Sequence, residues 1–92
     1  MDAVTTALLQ NPDLLNCELY HQWRDQEEDR INKEGNTHEA NLEFALRDAR
    51  LRRQAGLEDL AQLAFEDALV LAQATAPDEI INGIREEMNR EK

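Results

Sequence analysis

The chain contains no serine, a single cysteine, three glycines, two prolines and four aromatic residues. Each shortage excludes something. Without serine the commonest hydrolase nucleophile is missing. Cys17 alone forms no intrachain disulfide, which fits a reducing compartment. Few glycines and prolines, and few β-branched residues, point to helix. No alternating β-branched run occurs, so no strand is expected. Positive charge is also scarce: 10 basic residues stand against 20 acidic ones, for a net charge of −10. That balance argues against direct binding to nucleic acid, which needs a basic footprint. It argues equally against docking on an anionic membrane surface. No apolar run approaches the roughly 20 residues of a membrane span. The opening stretch, residues 1–10, lacks a basic leader with a long apolar core. The expectation is a soluble cytoplasmic protein whose partners are proteins, favourably ones with basic surfaces.

What is present is a succession of apolar stripes at helical spacing. Ninety-two residues make one domain. The expected architecture is an all-α bundle of about four helices, built from antiparallel helical hairpins, with residues 1–10 a short helical turn or an arm. Asn11 and Pro12 read as the start of a helix that runs to about Lys33. Its stripe, Leu15, Leu19, Tyr20 and Trp23, fails over residues 24–30, which hold no apolar residue. Gly35 suits a left-handed helix end. Asn36 followed by Glu39 reads as a capping box opening the next helix, about 37–55. Leu42, Ala45, Leu46 and Ala49 share one face of it. Arg47, Arg50, Arg52 and Arg53 make it a slightly basic rod between two acidic segments, expected to pair with neighbouring carboxylates. Gly56 ends it. Residues 57–74 form the most apolar helix, and Pro77 separates it from a last helix, about 78–90, striped by Ile80, Ile81, Ile84 and Met88.

The helix over 57–74 is apolar around much of its circumference, because Leu63, Phe65 and Val70 widen its stripe. Such a helix is a central one. It is expected to touch the third helix on one side and the last on another, with the Trp23 helix closing over it. A homodimer or a heteromeric interface is the alternative cover for the remainder.

Gly56, Ala61, Phe65, Ala68 and Leu69 carry a further signal, with Ala49 on the preceding helix. This turn glycine, followed by small and aromatic residues at fixed offsets, resembles the second half of a tetratricopeptide repeat. The likeness spans residues 42–73. It departs from the family pattern in three ways: the first helix lacks the expected aromatics, Gln73 stands where the repeat places proline, and no second repeat follows. The resemblance implies peptide or protein binding without catalysis.

No active site emerges from the residues. Cys17 and His21 are four apart on one expected helix, but two ligands do not make a zinc site. No phosphate-binding glycine loop occurs. Neither a cofactor nor an enzymatic activity is expected. Two binding readings follow. The first is a non-catalytic module, an adaptor, chaperone or inhibitor, that docks a helical face onto a partner. Tyr20 and Trp23 are its natural anchors, since aromatics dominate interface energetics. The second is an acidic nucleic-acid mimic that blocks the channel of an enzyme such as a defence nuclease, as inhibitors from phages or plasmids do. It needs rows of carboxylates spaced like phosphates. Glu18, Asp25 and Asp29, with Glu28 beside them, form one candidate row. Asp78, Glu79, Glu86 and Glu87, near Arg90, form another.

Overall fold

The computed structural model describes residues 3–89, and these form five α-helices and no strand. In chain order they are α1 (Ala3–Gln10), α2 (Glu18–Lys33), α3 (His38–Gln54), α4 (Glu58–Thr75) and α5 (Asp78–Asn89). The all-α class is therefore as expected, with one helix more than the four anticipated. Arg90 lies outside the described residues.

Within the segment 1–10, Ala3–Gln10 form a helix of about two turns. Thr5 and Leu8 on α1 are fully buried, and α1 packs on both α2 and α3. Helix α2 begins later than Pro12 suggested. Asp13 holds residues 13–16 in a turn instead: its carboxylate accepts the Leu15 N–H at 3.0 Å and a hydrogen bond from the Asn16 side chain. A local side-chain bond of this kind competes with helix formation and wins here. The first helical residue becomes Glu18, after an extended Cys17 that provides no side-chain cap.

The two ends marked by glycine share one geometry. After α2, Asn36 N–H donates to Ile31 O at 2.8 Å and Gly35 N–H to Asn32 O at 3.2 Å. After α3, Leu57 N–H donates to Arg52 O at 2.9 Å and Gly56 N–H to Arg53 O at 3.0 Å. Both are Schellman closures, in which the glycine occupies the left-handed region, with φ of 90° at Gly35 and 80° at Gly56. The closure at α2 displaces the expected capping box. Asn36 is used to finish α2, at φ 54°, and so cannot adopt the extended form of an N-cap. Thr37 caps α3 instead, its hydroxyl accepting the Ala40 N–H at 3.1 Å. Ala76 is extended, as a residue before proline prefers, and α4 stops there.

Helix α3 is the shared wall of two core clusters. One side, with Leu51 and Ala55, meets Leu8, Cys17 and Tyr20. The other side, with Ala49, meets Ala64, Phe65 and Ala72 of α4 and Ile84 of α5. The buried face of α4 is Ala61, Ala64, Phe65, Ala68 and Ala72, so small residues let α3 and α4 approach closely around one aromatic. Helix α4 does touch α3 and α5, as expected. Helix α2 does not close over it; it rests on α1 and α3 alone. The outcome is a slab of 37 × 37 × 20 Å, only about two helix diameters thick. It exposes 5984 Å², where a compact monomer of its mass exposes about 5,500 Å².

Candidate partner-binding surfaces

The polar centre of the molecule sits where α2 meets α3. Tyr20, 2 % exposed, donates its hydroxyl proton to Asp48 Oδ1 at 2.8 Å. Arg52 donates to the same hydroxyl at 3.0 Å, pairs with Asp48 Oδ2 at 2.9 Å and reaches the Leu60 carbonyl at 3.0 Å. One phenol, one carboxylate and one guanidinium thus tie α2 and α3 to the start of α4. The buried carboxylate and guanidinium neutralise each other, which is what makes their burial tolerable, although Arg52 Nε itself has no hydrogen-bond partner. Burial pushes the Tyr20 phenol up from its ordinary value, and the Asp48 carboxylate adds to this against the opposing Arg52. Burial works to lower Arg52, but the Tyr20 bond and the Asp48 charge outweigh it, and its net shift is upward.

Tyr20 is therefore a core residue. Trp23 is half-buried, with its ring 6.1 Å from that of Tyr20 and 5.7 Å from that of Phe44. Its remaining surface lines a shallow groove with Arg47, Arg50 and Gln54. Arg24 lies over the same aromatics, 5.9 Å from the Tyr20 ring and 5.6 Å from Phe44. These aromatics are a packed stack that stiffens the α2–α3 junction.

The α3 arginines are occupied much as the sequence suggested. Arg47 pairs with Glu27 at 3.3 Å, and Glu27 also holds Arg30 at 2.8 Å. Arg50 grips Glu87 through two bonds, of 2.6 and 3.0 Å, and so ties α3 to α5. Arg53 covers the Phe65 ring at 4.4 Å. This sorts the acidic rows. Glu87 is engaged by Arg50, and Asp29 pairs with Lys33 at 3.2 Å. Glu18, Asp25, Glu28, Asp78, Glu79 and Glu86 remain exposed. Cys17 and His21 are not brought together as ligands: the thiol is buried, and the imidazole Nε2 lies 3.2 Å from the Leu15 carbonyl oxygen. Among the described residues no three His, Cys, Asp or Glu side chains converge as a metal site would require. No helix among them is long and apolar enough to cross a membrane.

Of two further surfaces, the sequence left one open between core and interface and did not mark the other. The first is the outward side of α4, where Leu63 and Val70 are 55 % and 64 % exposed. They are seven residues apart, hence on one line along the helix, opposite the buried alanines. The sequence placed them on a widened stripe, to be covered by the Trp23 helix or, for the remainder, by a homodimer or heteromeric interface. Between α2, α3 and α4 lies instead an open groove of about 510 Å³, lined among others by Arg24, Phe44, Arg52, Asp67 and Leu71. The second is a smaller groove of about 340 Å³ where the α4–α5 turn crosses α3, with Leu42, Leu46, Pro77 and Ile80 in its lining. A heptad-spaced pair of large apolar residues facing away from an alanine stripe was the one available signal for the first surface. No sequence signal marks the second, which depends on where the turn lands.

No family model, curated protein or solved structure matches this chain.

Proposed function

We propose that the protein is a non-catalytic binding module that docks a helical face, the outward side of α4, onto a partner protein. The observation that carries this reading is the exposure of Leu63 and Val70 on a helix whose other sides are covered by α3 and α5. Aligned apolar side chains left in water are a cost to the free protein that a partner removes. We read α3 and α4, joined at Gly56, as an antiparallel hairpin of tetratricopeptide-like form, a build suited to presenting helix faces. The acid excess favours a partner with a basic surface and speeds its encounter.

The test is Leu63→Asp with Val70→Asp, used as bait in a lysate of the cells that express the protein. Both positions face solvent, so helicity and melting stay unchanged. The wild type retains one partner through a high-salt wash, and the double variant loses it. Equal recovery by both proteins sinks the α4 reading.

A second reading, the acidic mimic, is supported by the carboxylates of Glu18, Asp25, Glu28, Glu79 and Glu86, which remain exposed on α2 and α5. In that case the partner is a nucleic-acid enzyme, released by high salt because screening removes exposed charge contacts. Its recovery is indifferent to Leu63 and Val70 and falls on neutralising Asp25 and Glu28.

A further inference from the structure

The groove at the α4–α5 turn has a chemistry that selects its occupant. Its floor is the outer skin of the second core cluster: Leu42 and Leu46 from α3, then Ala76, Pro77 and Ile80. Ile80 is 43 % exposed although it lies on the apolar stripe of α5. The rim is acidic. Glu39 and Glu43, one helical turn apart on α3, are both exposed beside the floor. Asp78 and Glu79, which precede Ile80 on α5, are exposed but do not line the groove. No arginine or lysine is in the lining. Glu43 adds its charge to those of Glu27 and Glu34 at Arg30, whose guanidinium is already held by Glu27 at 2.8 Å and Glu34 at 3.2 Å. A volume of about 340 Å³ is at the small end for ligand sites, suited to a few side chains rather than a cofactor.

We propose that this groove docks an amphipathic basic helix of a partner protein, with its leucine-sized side chains on Leu42, Leu46 and Ile80 and its lysines or arginines against Glu39 and Glu43. Charge complementarity selects this occupant. An acidic or neutral apolar segment would leave the Glu39 and Glu43 carboxylates in the lining unpaired, and a second copy of this chain would bring a charge of −10 against them. Helix-in-groove docking supplies the geometry, with anchors at i, i+3, i+4 and i+7 meeting an apolar floor. The groove is separate from the outward face of α4, so either surface can fail its test without the other.

The probe is a fluorescein-labelled helical peptide of about 15 residues, with leucines at the anchor positions and lysines elsewhere, followed by anisotropy. Ile80→Asp is the deciding variant. Aspartate in the first turn of α5 suits the helix dipole, so the fold tolerates it. The substitution removes an anchor contact while adding negative charge. The groove account expects affinity to fall about tenfold, the worth of one good apolar contact. Attraction by net charge alone makes affinity rise or stay level, and that result overturns the proposal. Glu39→Gln with Glu43→Gln weakens binding roughly fivefold, as two exposed ion pairs would, while Glu18→Gln with Asp25→Asn on α2 changes it less than twofold. Equal loss from the two pairs, or equal binding of a peptide whose leucines are replaced by alanine, likewise refutes the groove.

Discussion

Replacing Phe65 by alanine removes the one aromatic side chain, and the largest, among the buried residues of the second core cluster. Phe65 is 0 % exposed and is surrounded by Ala49, Ala64, Ala72 and Ile84. Alanines lack the reach to collapse into the gap, so the cavity persists and the cost lies high in the usual 3–5 kcal/mol for such a truncation. The Arg53 guanidinium, 4.4 Å above the ring, loses its support as well. A domain of this length has a total stability of about 5–14 kcal/mol, so the variant loses a third of it or more. With a urea dependence near 2 kcal/mol per molar, the midpoint falls by about 2 M. Far-UV circular dichroism in a urea titration reads this directly, and an outright unfolded variant is the same result at its limit. Trp23→Ala is the internal comparison. Trp23 is only half-buried, and its stack with Tyr20 and Phe44 lies outside the second cluster. Its loss costs about half as much. A Phe65→Ala midpoint within 0.5 M of wild type, or one above that of Trp23→Ala, refutes the assignment of Phe65 as the keystone of the core.

Tyr20→Phe keeps the Asp48–Arg52 ion pair and deletes only the hydroxyl that joins both; we expect a loss of about 1–3 kcal/mol in the same titration. Because the folded-state phenol is shifted up, its stabilisation is fully present below the ordinary tyrosine value and is lost as pH rises through the folded one. Tyr20 is the chain's one tyrosine, so tyrosinate absorbance follows this group alone, and its rise should lag behind that of the urea-unfolded chain. Gly56→Ala meets no atom within 4 Å but must hold φ at 80°; it costs about 1–2 kcal/mol from backbone strain alone, measurable as a lower melting temperature with unchanged helicity.

Much of this fold is legible in sequence because its determinants are local. Gly35, Gly56 and Pro77 end helices through the backbone conformations they permit or forbid, and the alanine face of α4 declares its close neighbour. The misplacements are cases of two local signals competing for one residue. Asp13 captures the turn that Pro12 and Asn11 offered to a helix, and Asn36 is consumed in closing α2 before it can open α3. Deeper errors are non-local. Whether α2 lies over α4 or beside α3 depends on the Tyr20–Asp48–Arg52 junction, whose partners are 28 and 32 residues from Tyr20 along the chain. That placement decides that Leu63 and Val70 face water. It also turns Tyr20, a sequence candidate for partner binding, into the centre of a buried hydrogen-bond network.

The central claim is that the outward face of α4 is open in the free protein and covered in the complex. Val70→Cys tests it most directly, because the native Cys17 is buried and stays slow to react. In the purified protein, maleimide should label position 70 at the rate of a free thiol, independent of protein concentration. Adding the partner captured by the wild type should slow that labelling at least tenfold. Slow labelling in the purified protein, or undiminished labelling in the complex, contradicts the account.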